Sequence, residues 1–217
     1  HGFTWQWYYQ LFQDQNLGII AWHSLLLGIS AASTATLLGM FVAIVLYRYQ
    51  FYGKRIFYLL IFVMIVLPDL VIGISFLLLF SLANFPLGFW SLFIAHTALC
   101  FPFACVTIFA RLRELDAHLI EASRDLGAHE WQLYRYILIP LLWSSLLVSW
   151  LLSFTLSLDD VIISYFVSGP TFQILPLKIF AMVKLGANPE INALSSIILI
   201  VTFAIVITSQ LLLREKQ

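Results

Sequence analysis

Five runs of about 20 predominantly apolar residues dominate this 217-residue chain. They cover residues 19–46, 56–83, 88–110, 141–158 and 191–213. Runs of this length match the hydrocarbon thickness of a bilayer. The hydrophobic content of 62% also exceeds the roughly 45–50% typical of soluble domains. The sequence therefore predicts an all-α integral membrane protein, with a single transmembrane domain over residues 1–217 and no nucleic-acid partner.

The basic residues are distributed unevenly around these runs, although the formal net charge is zero. Nine of the 11 fall on one side of the predicted membrane: Arg48, Lys54, Arg55, Arg111, Arg113, Arg124, Arg135, Arg214 and Lys216. The other side receives Lys178 and Lys184. Because cytoplasmic loops collect positive charge, we expect the N-terminus outside and the C-terminus inside. An odd number of spans that starts outside, in a chain beginning with His1, predicts a further helix upstream.

Small residues and prolines mark where these helices approach one another or break. Four small residues at helical spacing predict a smooth packing face on the first run: Gly28, Ala32, Ala35 and Gly39. Pro68 and Pro102 interrupt the second and third runs, and such breaks are tolerated where protein or a water-filled cavity satisfies the freed carbonyls. Cys100 and Cys105 lack metal-ligand or CxxC spacing, so we expect free, buried thiols.

Residues 111–140, between the third and fourth runs, form the longest charged stretch. Leucines recur there at helical spacing, with Arg, Glu and Asp on the opposite face: Leu112, Leu115, Leu119 and Leu126. Asp116 is placed to cap a helix and Gly127 to end it. Residues 129–138 then predict a second short helix that ends at Pro140. The stretch therefore predicts a helix–glycine–helix unit on the inner side of the membrane.

The same stretch resembles the EAA loop of ABC-type importer permeases, in which Glu-Ala-Ala is followed at fixed spacing by Gly and by Ile-x-Leu-Pro. The matching positions are Glu121, Ala122, Ser123, Gly127, Ile137, Ile139 and Pro140. Ser123 stands in place of the second Ala and Ile139 in place of the Leu, with the spacing intact. The resemblance implies a pair of coupling helices that docks onto an ATP-hydrolysing subunit. The alternative is a helix that only lies on the bilayer surface.

Two further stretches, "FTLSLDDVIISYFVSGP" and "ILPLKIFAMVKLGANPEINAL", look like the C-type membrane subunits of spermidine/putrescine importers. That resemblance runs along essentially the whole chain. It implies one half of a polyamine pore in a bacterial inner membrane, with six spans in the complete subunit. The implied partners are a second permease, two ATPase subunits and a periplasmic or extracellular polyamine-binding protein. The chain has no GxxxxGK[ST] motif, so we expect no ATP hydrolysis and no catalytic residues in it, and ATP and Mg²⁺ would be used by the ATPase subunits. The five histidines are scattered, so we expect no metal site.

Asp159 and Asp160 are adjacent acids at the outer end of the fourth run. A carboxylate at the membrane centre costs about 2.5–3.5 kcal/mol, so such residues are candidates for contact with a cation. Because ammonium groups also bind aromatic faces, the candidate substrate path comprises Asp69, Asp159, Asp160, Tyr165, Phe166, Phe180 and Lys184. We expect Asp159 to be the principal contact, and Asp160 to cap a helix end or to pair with Lys178 or Lys184. A purely structural role for the acids, including Asp69, is the alternative.

Other functions fit parts of this pattern. Lys184 and Phe180 are expected to close the resting pore against cation leak. The loop would serve equally well in a permease for putrescine alone, ferric ion or thiamine. A proton-coupled secondary transporter would also place acids in the membrane, but it needs no docking loop. An intramembrane aspartyl protease is disfavoured, because adjacent helical residues point about 100° apart and could not share a proton.

Overall fold

The computed structural model describes residues 15–116 and 118–185, with Tyr9, Ala193, Ser196, Ile200 and Phe203 as isolated further positions. The predicted fifth span, residues 191–213, lies outside the continuously described residues. The chain divides into a smaller unit, residues 1–25 with 171–217, and a larger unit, residues 26–170. Within the described ranges all regular secondary structure is helical.

The helices follow the apolar runs. They are α1 (Gln15–Arg48), α2 (Lys54–Val66), α3 (Asp69–Leu82), α4 (Phe89–Glu114), α5 (His118–Asp125), α6 (Glu130–Gln132), a π-helical segment (Leu133–Leu138), α7 (Ile139–Asp159), α8 (Ile162–Val167) and α9 (Leu175–Leu185). Three helical stretches of the described chain are long and apolar enough to cross a membrane: Asn16–Arg48, Phe89–Glu114 and Glu130–Asp159. They correspond to the first, third and fourth predicted spans.

The second predicted span, residues 56–83, is a bent pair of helices instead of one straight helix. α2 ends at Val66, α3 begins at Asp69, and the two axes differ by 108°. Leu67 and Pro68 are extended at the break, because Pro68 has no N–H to donate and disfavours helical backbone at the residue before it. Pro102, in contrast, lies inside α4, which continues across it. The described residues therefore contain three unbroken candidate spans and one bent pair.

The predicted face of small residues on α1 is confirmed as a packing surface. A Cβ atom added to Gly39 would lie 2.8 Å from the backbone N of Cys105 in α4, and one added to Gly28 would lie 3.0 Å from the ring of Phe154 in α7. Ala32 and Ala35, the two alanines of this face, are completely buried. Lipid offers no hydrophobic drive for helix association, so close backbone approach of this kind supplies much of the packing energy.

A hydrophobic cluster joins the last part of α1 and of α4 to the π-helical segment and the start of α7. Its buried members are Met40, Ala43, Ile44, Leu46, Ile61, Cys105, Ile108, Leu112, Leu133, Leu138 and Leu142. Leu115, Ile120 and Ile137, from the 111–140 loop, pack against it. Cys100 and Cys105 are free and buried, as predicted. The loop is therefore held by apolar burial on the ends of two spans.

The predicted helix–glycine–helix unit is present within residues 111–140. Asp116 Oδ1 accepts a hydrogen bond from the His118 amide at 3.0 Å, and Gly127 follows α5 with a left-handed φ of 82°. The predicted stop at Pro140 is wrong, because the helix runs on through the π-helical segment into α7. At this segment the Ile139 amide bonds to the carbonyl of Tyr134, five residues back. Pro140, with no N–H to donate, follows where the hydrogen-bond register changes and therefore does not end the helix.

Candidate functional site

The two adjacent aspartates occupy different environments. Asp159 is the last residue of α7 and its side chain is exposed. No hydrogen bond or ion pair of its carboxylate is present among residues 15–116 and 118–185. Asp160 has left the helix, with φ −68° and ψ 120°, and is buried. Because α7 ends between them, neighbouring acids in the sequence do not share an environment in the fold.

Asp160 caps α8. Its Oδ1 accepts a hydrogen bond from the Ile163 amide at 3.2 Å, and its Oδ2 accepts from the amide and the hydroxyl of Ser164, each at 2.8 Å. A carboxylate in this position satisfies amides that the first turn of a helix leaves without partners. Capping a helix end is one of the two roles expected for Asp160 from the sequence.

A histidine that the sequence reading did not single out completes this buried polar network. His96, in α4, is fully buried; its Nδ1 lies 2.7 Å from Ser157 Oγ and its Nε2 lies 2.9 Å from Ser164 Oγ. Because the Ser164 hydroxyl donates to Asp160, it accepts from Nε2–H of His96, and Nδ1 accepts from the Ser157 hydroxyl. A neutral histidine with its proton on Nε2 therefore satisfies every member of the network. Two features of the sequence could have indicated this network. Serines recur at every fourth position along α7, and His96 is the one histidine in the apolar run that forms α4.

The aromatic candidates of the larger unit lie where α8 meets α3. A Cβ atom added to Gly73 would lie 2.8 Å from the Phe166 ring and 3.2 Å from Ile163 Cα, so the two helices are in close contact. Tyr165 is exposed and makes an edge-to-face contact with Phe166, with ring centroids 5.7 Å apart. Asp69 is exposed in the first turn of α3, where the helix dipole favours a negative charge.

The last two candidates, Phe180 and Lys184, lie on α9 in the smaller unit. Lys184 Nζ lies 4.6 Å from the centroid of the Phe180 ring, a cation–π geometry. The start of α9 is fixed by a hydrogen bond from the Leu175 amide to Ser24 Oγ at 2.6 Å. The expected role of Phe180 and Lys184 in closing a pore stays a prediction.

The residues matching the EAA pattern divide between an exposed and a buried face. Glu121, Ala122 and Gly127 are exposed, and Pro140 is exposed at the start of α7. Ser123 is buried, and its hydroxyl donates to the carbonyl of its own helix at residue 120, at 2.8 Å. A small side chain is therefore required at this position, and serine meets that requirement as alanine would. Ile137 and Ile139, the remaining two, are partly buried.

The exposed face of the 111–140 loop also carries large apolar side chains. Leu126 is 88% exposed, Trp131 69% and Tyr136 72%. They lie among charged residues that include Glu121. Aromatic and apolar side chains with a charged rim are typical of surfaces that bind another protein or a membrane.

One ion-pair cluster in this region was not anticipated from the sequence. Arg48, the last residue of α1, donates from Nη1 to Glu130 Oε2 at 2.6 Å and from Nη2 to Glu130 Oε1 at 2.9 Å. Arg48 Nη1 also donates to the Tyr134 hydroxyl at 2.6 Å, and Arg124 of α5 donates to Glu130 Oε1 at 2.8 Å. A single carboxylate thus joins the end of α1 to α5 and to the start of the long α6–α7 helix.

Residues 35–214 match the sequence profile of a family described as binding-protein-dependent transport system inner membrane component. The chain belongs to this family. The permease is 46% identical over 215 residues to the spermidine/putrescine transport system permease protein PotC of Escherichia coli strain K12, an alignment that covers 99% of the permease and 81% of PotC. It is 39% identical over 206 residues to the putrescine transport system permease protein PotI of the same strain, covering 91% of the permease and 73% of PotI.

A solved structure has the same fold. The permease superimposes on a chain of a bacterial ABC transporter involved in the import of the acidic polysaccharide alginate, with a TM-score of 0.80 and 14% identity. The match covers 99% of the permease and 84% of the other chain. The family match and the 46% identity confirm the predicted resemblance to ABC importer permeases of the polyamine family. The permease is therefore a multi-pass membrane transport subunit, and the protease and secondary-transporter alternatives are excluded.

Proposed function

We propose that the permease is one of two membrane subunits of an ATP-driven importer of polyamines, with spermidine and putrescine as cargo. The observation that carries the proposal is the 46% identity to PotC over 99% of the chain. A carrier for putrescine alone is the second candidate, supported by the lower identity to PotI. Ferric ion and thiamine have no comparable support.

The cargo chemistry fits the exposed acid at the end of α7. A polyamine is a chain of ammonium groups separated by methylenes, and it needs carboxylate oxygens and aromatic faces along its path. Asp159 is exposed and without a protein partner in the described residues, and Asp69 and Tyr165 are exposed on neighbouring parts of the larger unit. We assign the principal cation contact to Asp159. Asp160 supports the site by holding α8.

The coupling part of the proposal concerns the 111–140 loop. Glu121 and the exposed apolar side chains Leu126, Trp131 and Tyr136 would contact an ATPase subunit, as in the resemblance to the EAA loop. ATP and Mg²⁺ would belong to two such subunits, and this chain would form a single permease domain without catalytic residues. The excess of positive charge on one side of the spans supports a cytoplasmic location for this loop and the C-terminus. A second permease and an external polyamine-binding protein complete the assembly.

The test is uptake of labelled spermidine into vesicles that carry the whole complex, with ATP supplied or withheld. Asp159→Asn should lower ATP-dependent uptake by about tenfold or more, since a charge-assisted contact contributes roughly 1.5–3 kcal/mol. Asp159→Glu is the matched control, because it keeps the negative charge at the same exposed position and should retain most of the uptake. Unchanged uptake in Asp159→Asn would return this residue to a structural role.

Two further experiments test the cargo and the docking loop separately. Uptake of putrescine without spermidine would favour the second candidate, and uptake of neither would refute the polyamine cargo. Glu121→Lys should abolish ATP-driven uptake while the permease still inserts and assembles with its second permease. Normal uptake by that variant would refute the docking role of the loop.

A further inference from the structure

The contact between Arg48 and Glu130 joins two parts of the chain that lie 82 residues apart. The Arg48 side chain is only 6% exposed, whereas that of Glu130 is 47% exposed. The guanidinium also lies 5.3 Å from the centroid of the Tyr134 ring and 5.5 Å from that of Tyr49. A buried guanidinium with a bidentate carboxylate and two aromatic faces has one preferred geometry, unlike an exposed pair of flexible side chains.

The placement of this contact matters more than its strength. Glu130 is the first residue of the continuous helix Glu130–Asp159, and Arg48 is the last residue of α1. Arg124, from α5, donates to the same carboxylate. Apart from the bonds of Arg48 to Glu130 and Tyr134, the links between α1 and the described part of the loop include apolar contacts of the hydrophobic cluster, which are not directional. The ion pair is directional, so it opposes sliding as well.

We propose that Arg48 is a positioning residue for transport, which makes the inner end of α1 move together with the 111–140 loop. The inference rests on the proposed function, since it assumes that a partner ATPase moves this loop. Arg48 touches neither cargo nor nucleotide; it acts through Glu130. Without it, movement of the loop reaches the α6–α7 helix while α1 lags behind.

The first test measures spermidine uptake and ATP hydrolysis in the same vesicles, with the complete complex and loaded binding protein. Arg48→Gln should lower the uptake per ATP hydrolysed by about tenfold, within the usual range for a coupling free energy, with hydrolysis retained. Glu130→Gln should do the same, and Arg48→Lys, which keeps the charge but not the bidentate geometry, should recover part of the loss. Arg55→Gln is the control, because it removes an exposed positive charge from the first turn of α2, outside the 111–140 loop.

These results distinguish positioning from stability. A structural role alone would lower the amount of assembled complex, with uptake per ATP unchanged, and that outcome would overturn the proposal. An equal loss in Arg55→Gln would overturn it as well, since the loss would then follow from removing any positive charge near the ends of the spans.

The second test needs no cargo, so its failure is distinguishable from a wrong assignment of polyamine. Spin labels at Val45 of α1 and Leu119 of the loop, both exposed and neither assigned to the docking contact, report the distance between the two elements. In the otherwise unaltered complex this distance should be the same with and without a non-hydrolysable ATP analogue, whereas in Arg48→Gln it should shift or broaden with the analogue. Identical behaviour of the two proteins would overturn the proposal even if spermidine proved to be the cargo.

Discussion

Asp160→Ala tests the claim that this acid is structural and that its neighbour is not. The substitution removes the acceptor of three hydrogen bonds, from the Ile163 amide and from the amide and hydroxyl of Ser164. Each buried donor left without a partner costs about 1–3 kcal/mol. At the lower bound for each donor, the free energy of unfolding should fall by about 3 kcal/mol. His96 then loses part of its support, because the Ser164 hydroxyl no longer has a fixed direction.

The assay is unfolding of the purified permease in mixed micelles by increasing SDS, followed through the loss of helical circular dichroism. Asp159→Ala is the matched control, since it removes the same group one residue earlier from an exposed position and should change stability by no more than about 0.5 kcal/mol. A loss below about 1 kcal/mol in Asp160→Ala, or equal losses in the two variants, would refute the reasoning from burial and capping.

Two other substitutions test the packing. Gly73→Ala should destabilise the permease by about 1–3 kcal/mol, because the new Cβ would lie 2.8 Å from the Phe166 ring. Gly18→Ala is its control and should be neutral or slightly stabilising, because no atom lies within 4 Å of the new Cβ. The same SDS titration compares the two variants. Ser123→Ala should leave ATP-driven uptake unchanged and should change stability by no more than about 0.5 kcal/mol, because the hydroxyl bonds to a carbonyl of its own helix. A clear loss of uptake would assign that hydroxyl a role in docking.

Local patterns predicted the parts of the fold that depend on local physics. Apolar length located the three unbroken spans, and the small residues from Gly28 to Gly39 located the packing face of α1. Pro68 predicted a break in the second span but not its angle of 108°. The bend depends on what each half packs against, and α3 lies on α8 through Gly73, a contact between residues about 90 positions apart. The π-helical segment that carries the helix past Pro140 had no sequence signal either.

The candidate site divides in the same way. The sequence shows that Asp159 and Asp160 are acids in an apolar run, but only the end of α7 between them separates an exposed acid from a buried one. His96 lies more than 60 residues from its two serine partners. Arg48 follows the positive-inside pattern whether or not it has a partner, so its charge alone could not predict the contact with Glu130. Long-range pairing is what a single sequence leaves undetermined.

The two ends of the α6–α7 helix connect the separate parts of the proposed mechanism. Glu130 at one end is held by Arg48, and Asp159 at the other end is the proposed cation contact. Thirty residues of continuous helix span about 45 Å, comparable to the thickness of a bilayer with its headgroups. A helix of this kind transmits displacement and tilt along its length without intervening loops. The hydrogen-bond register changes in the π-helical segment Leu133–Leu138, so we expect the helix to bend there most readily. Burial of Leu133 and Leu138 in the hydrophobic cluster supports that segment, so loss of the support at Arg48 should act there first.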